Sequence, residues 1–98
     1  RDLRMSRGLG DVYKRQEPQA PVHVLVIPKE HICCADAVNE ENVGNIAHIF
    51  TKIPEITKSL GLTNGYRIVN NCGEDGCQSV KHMHFHILGG KKLNGTMA

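Results

Sequence analysis

Tryptophan is absent from the 98 residues, and Phe and Tyr together make up only 4%. Proteins that grip single-stranded nucleic acid stack its bases on aromatic side chains, so nucleic acid is not an expected partner. No apolar run approaches the ~18 residues of a membrane span. No apolar stretch of the secretory kind stands near the N-terminus, so the expected location is cytoplasmic, away from membranes. Cysteines number four. Cys33 and Cys34 are adjacent, and neighbours rarely bridge each other, so four reduced thiols are expected rather than disulfides. Cys72-x4-Cys77 lacks standard zinc spacing and a second Cys pair, so no metal and no cofactor is expected there. Asn94-Gly95-Thr96 is a formal glycosylation sequon, unused in a cytosolic chain.

What is there is enough for one small domain. A chain of 10.8 kDa with 40% apolar residues builds a modest core, and a partner subunit is the commonest source of further burial. The net charge of +2 is unevenly spread. Residues 1–16 carry five basic and two acidic groups, and residues 17–98 carry seven and eight. The basic character therefore lies in a short arm and argues little for polyanion binding. Residues 1–16 show no sustained helix or strand period. They read as a disordered arm, or as a segment foreign to the domain that follows over 17–98.

From Glu17 the texture changes. Pro18 and Pro21 bracket a stiff entry, and Val22 to Ile27 runs nearly all apolar and β-branched until Pro28. This predicts a strand buried on both faces or nearly so, with His23 its one polar group. Asn39 is a plausible helix N-cap. Val43, Ile46, Ile49, Phe50, Ile53, Ile56 and Leu60 then recur at helical spacing. Gly61 stands where a C-cap belongs. Pro54 predicts a kink or a break. Asn64-Gly65 signals a turn before a second strand, Tyr66 to Asn70.

The most informative feature is His82-Met83-His84-Phe85-His86-Ile87-Leu88. Side chains alternate along a strand, so the three His share one face while Met83, Phe85 and Ile87 face a core. Successive His are ~6.6 Å apart, and the outer two ~13 Å, so all three cannot meet on one atom. Three readings follow. The row could be incidental. It could supply part of a zinc site with His23 or a carboxylate. Or His84 could be a nucleophile toward phosphorus, with its tautomer and charge controlled by His82 and His86. The polar, glycine-bearing stretch Asn71, Gly73, Gly76, Gln78 and Ser79 just before the row favours the third reading. Backbone N–H groups and small polar side chains there can meet an anion.

The row resembles the histidine-triad (HIT) pattern, His-φ-His-φ-His-φ-φ. Gln19 to Ile32, Gly65-Tyr66-Arg67, Asn71, Gln78-Ser79-Val80 and Leu88-Gly89-Gly90 resemble the HINT branch, the histidine-triad nucleotide-binding proteins. The resemblance covers residues 17–98. It implies an α+β fold, an antiparallel sheet with a packed helix, usually as a homodimer. It implies a hydrolase of purine nucleoside phosphoramidates that releases the nucleoside monophosphate through a nucleotidyl-histidine. His84 would be the nucleophile, with His86 and His23 near the phosphate and His82 orienting His84. Ser79 and Gln78 would lie by the phosphate and leaving group, and Asn71 and Val80 would also line the nucleotide site. No metal is implied. Two departures stand out. Residues 1–16 do not resemble the helix and strand hairpin that the family places before Gln19, so the N-terminal strands are expected to be missing and a sheet edge bare. Cys77 stands where the family has Gly. The alternatives are a nucleotide-binding module with little or no catalysis, and a His/Cys zinc-binding domain.

Overall fold

Helix α1 spans Val43–Ser59 and packs on one face of a five-stranded antiparallel sheet, the α+β arrangement expected. The computed structural model describes residues 20–96 throughout, and 3–6 and 10–14 as backbone. In chain order the strands are β1 (Leu3–Ser6), β2 (Gly10–Lys14), β3 (Val22–Pro28), β4 (Arg67–Val69) and β5 (Phe85–Gly89). Their order across the sheet is β1-β2-β3-β5-β4.

The first two strands correct the expectation for the N-terminus. Leu3–Ser6 and Gly10–Lys14 form a hairpin, and Val12 and Tyr13 pair with Val26 and Leu25 of β3. Neither strand shows a clear period in the sequence. Pairing to the long, apolar β3 supplies what local propensity does not. The N-terminal edge of β3 is therefore covered rather than bare.

β3 behaves largely as its composition predicts. Val24 and Val26 are buried on the helix side, and Leu25 and Ile27 are half-buried on the other. Ile49, Ile53 and Ile56 recur along one stripe of α1 and are buried against that sheet face with Phe85 and Ile87. Each such side chain contributes roughly 2 kcal/mol on leaving water. Phe50 is half exposed, but its ring meets Phe85 edge-on at 5.7 Å between centroids.

The helix starts later than Asn39. Asn39 caps a preliminary turn, its side-chain oxygen accepting from the N–H groups of Glu41 and Asn42 at 2.8 and 3.0 Å. Asn42 returns the bond by accepting from the Asn39 N–H at 2.8 Å and is itself the N-cap of α1. Pro54 does not break the helix, which runs continuously through it. Proline withholds one N–H donor, and burial of Ile49, Ile53 and Ile56 around it holds the element together. The C-terminus closes as the glycine predicts. Gly61 takes φ 77°, its N–H donates to the Lys58 carbonyl, and the Leu62 N–H donates to the Thr57 carbonyl at 2.9 Å. That is the Schellman arrangement, and it turns Leu62 back into the core.

Candidate functional site

Regular strand begins only at Phe85, so His82 and His84 lie in the segment leading into β5, and His86 lies within it. The alternation holds all the same. Met83, Phe85 and Ile87 are buried, and His82, His84 and His86 are half-buried. The lead-in is held at two points. The Met83 N–H donates to the Ile32 carbonyl at 2.6 Å. The Asn70 side-chain amide donates to the His84 carbonyl at 2.8 Å.

Register explains the fourth histidine. Leu25 of β3 pairs with His86, and His23 pairs with Leu88. His23 and His86 therefore lie diagonally on the same sheet face, opposite the core. Their rings meet with His23 Nε2 2.9 Å from His86 Nδ1. One of these nitrogens carries the proton and the other accepts it. His23 is 3% exposed, so the pair is largely shielded from water. The His84 ring continues the line, edge-on to His86 at 5.1 Å between centroids.

The hydrogen bond of His84 decides its chemistry. His84 Nδ1 lies 2.9 Å from the His82 carbonyl oxygen. A carbonyl only accepts, so Nδ1 carries the proton. In the neutral ring Nε2 is then left with the free lone pair. The His82 backbone, rather than its ring, makes this contact. The His82 ring turns to His31, at 4.8 Å between centroids, and its buried Nε2 has no hydrogen-bond partner.

The loop before the row is folded by its own polar side chains. Gln78 accepts from the Gly73 N–H at 2.9 Å and donates to the carbonyls of Cys33 and Val80 at 2.6 and 3.0 Å. The Asn71 amide donates to the Gly76 carbonyl at 2.8 Å. Both amides therefore shape the loop. Ser79 is exposed and makes no side-chain hydrogen bond among the described residues, and Val80 is also exposed. A Cβ on Gly76 would run into the Cys72 carbonyl. Cys77 adopts φ 61°, the left-handed region that suits glycine.

The structure thus brings His23, His84 and His86 into one line, sets His82 beside His31, and uses Gln78 and Asn71 to close the adjoining loop. Asn70 is the residue that sequence reasoning passes over. It looks like the last residue of a strand, and its bond to His84 spans 14 positions. A surface depression of about 480 Å³ lies past β5, lined by residues that include Leu62, Asn64 and Lys91 and none of the histidines.

A hydrogen-bonded pair of imidazoles beside a third, on the sheet face opposite α1, puts the chain in the class of α+β proteins that carry a histidine cluster on an antiparallel sheet. The comparisons narrow that class. The HIT domain profile matches residues 11–93. An uncharacterized HIT-like protein of Rickettsia prowazekii is 46% identical over 87 residues, 87% of this chain and 72% of its own. A histidine triad protein from Clostridium difficile superposes with a TM-score of 0.90 at 35% identity, covering 99% of this chain and 86% of that one. A HIT family hydrolase from Legionella pneumophila gives 0.89 at 32%, covering 97% and 87%. The chain belongs to the HIT domain family.

Proposed function

We infer that the protein is a nucleotide hydrolase of the HINT type that cleaves purine nucleoside 5′-phosphoramidates. The observation that carries this reading is the His84 Nδ1 bond to the His82 carbonyl, which leaves Nε2 as the free lone pair. Nε2 attacks the α-phosphorus, the phosphorus–nitrogen bond breaks, and the amine leaves with a proton. Positive charge arriving on the ring is met by the His82 carbonyl at Nδ1. Water then attacks the nucleotidyl-histidine, and the nucleoside monophosphate departs with Nε2 restored. His23 donating to His86 Nδ1 leaves His86 Nε2–H to face the phosphoryl oxygens. Ser79, with an uncommitted hydroxyl, serves the phosphate and leaving group. Asn71, Gln78 and Val80 border the nucleotide, and no metal enters the reaction.

A homodimer fits this reading. β4 forms one edge of the sheet, and Val43 and Phe50 of α1 are 46% and 48% exposed. A second copy would cover apolar surface of this kind.

The test is hydrolysis of a fluorogenic adenosine 5′-phosphoramidate, with mass spectrometry of the acid-labile adduct after quenching in denaturant at alkaline pH. The wild type turns over and carries nucleotide on His84. His84→Ala folds and loses turnover by ~10⁴-fold or more. Turnover surviving in His84→Ala overturns the reading.

A further inference from the structure

The cysteines are not scattered. The loop at 33–36 and the loop at 71–78 lie against each other, joined by the Gln78 bond to the Cys33 carbonyl. Across that seam, Cys34 Sγ, one Asp36 carboxylate oxygen and Cys72 Sγ all lie within 4.8 Å of one another. We propose that Cys34, Asp36 and Cys72 form a binding site for a thiophilic divalent cation of the zinc class, separate from the histidine row.

Three observations point the same way. The ligand set is of the right kind: two thiolates and a carboxylate suit zinc, whereas hard cations such as magnesium or calcium take oxygen ligands. The spacing is right: with bonds of about 2.3 Å to sulfur and 2.0–2.2 Å to oxygen, tetrahedral ligands stand about 3.5–4 Å apart. Closing to that from 4.8 Å or less takes side-chain rotation of an exposed Asp36 and two half-buried cysteines. Finally, the three groups are uncommitted. None makes a side-chain hydrogen bond or ion pair among the described residues. Cys34 is the N-cap of the short 3₁₀ turn Ala35–Ala37 and makes no side-chain cap bond. That turn swings Asp36 back toward Cys34, while Cys72 arrives from the other loop.

Three protein ligands leave the fourth position to water. Each thiol gives up its proton on binding, so two thiolates and a carboxylate outweigh the divalent charge and leave the loaded site with one net negative charge. The cation would tie the 71–78 loop, which ends at Gln78 and leads into Ser79, to the segment following β3. Cys33 and Cys77 lie outside the set.

The test uses the full chain, reduced by a phosphine and kept free of oxygen. Cobalt(II) is titrated in, and the thiolate-to-cobalt charge-transfer band is followed. It should saturate near equimolar cobalt and be abolished by equimolar zinc. Cys34→Ser and Cys72→Ser should each weaken binding by at least ~100-fold, and Asp36→Asn by roughly tenfold or more. Cys33→Ser and Cys77→Ser should leave it unchanged. A second measurement needs no variant. Zinc should protect Cys34 and Cys72 of the wild type from alkylation, read by peptide mass, and leave Cys33 and Cys77 reactive. Absence of the thiolate band in the wild type, its persistence without both Cys34 and Cys72, or zinc protection of Cys33 and Cys77 instead would each overturn the proposal.

Discussion

At the scale of single residues, the site is set by backbone carbonyls more than by side-chain pairs. The His82 carbonyl fixes the proton on His84 Nδ1, and Asn70 in turn holds the His84 carbonyl from β4's side. Asn70 touches no substrate atom in this scheme and is a positioning residue. Asn70→Ala should cost about 1 kcal/mol of stability. It should lower kcat by roughly tenfold or more while KM changes little, because a tilted His84 loses aim rather than affinity. Equal loss in KM with kcat unchanged would remove the positioning role. Cys77 makes a second residue-scale prediction. Its φ of 61° costs a side-chain-bearing residue roughly 1–2 kcal/mol relative to glycine. Cys77→Gly should therefore raise the unfolding free energy by about 1 kcal/mol, read by urea denaturation, since backbone strain outweighs the added freedom of the unfolded chain. An unchanged or lower midpoint would mean that the loop carries no such strain.

At the scale of elements, the Schellman closure of α1 is the most exposed to a single change. Gly61→Ala places a Cβ at φ 77°, and a loss of about 1 kcal/mol is expected in thermal or urea unfolding. No clash adds to it, because the space around a Cβ there is open. This end of the helix was legible in sequence, as was the histidine row, because both depend on local spacing. Gly61 follows the last apolar position of a helical pattern. His82, His84 and His86 alternate with Met83, Phe85 and Ile87, and alternation has only one geometric meaning. Other features were not legible, for a physical reason. Asn70 reaches His84, Gln78 reaches Cys33, and Cys34 and Asp36 meet Cys72 only because two loops are folded together. No local period records a contact of that kind. Of the two outcomes that Pro54 predicts, the break does not occur, because the local cost of the proline is outweighed by the burial of Ile49, Ile53 and Ile56. The place of His23 beside His86 is intermediate. The residue stood out as the one polar group of an apolar strand, but its partner follows from the register of β3 on β5.

At the scale of the whole molecule, the sheet itself joins the N-terminal residues to the site. β2 covers the side of β3 opposite β5, and β3 carries His23. Composition sets residues 1–16 apart as a basic arm, whereas within them Gly10–Lys14 pairs with Val24–Pro28 of the sheet. Removing them distinguishes the two views. Without β2, the long apolar strand β3 becomes an open edge, with a row of unpaired N–H and C=O groups ready to pair with another chain. A chain beginning at Glu17 should therefore unfold at a lower temperature and scatter light at concentrations where the full chain is clear. Its turnover should fall with the loss of a rigid β3, because the His23–His86 pair depends on that strand's register. If the shortened chain matched the full one in melting temperature, scattering and turnover, residues 1–16 would be an arm that contributes nothing to the sheet. The His23–His86 pair would then be held by β5 and the core beneath it, where Val24 and Ile87 lie opposite each other and fully buried.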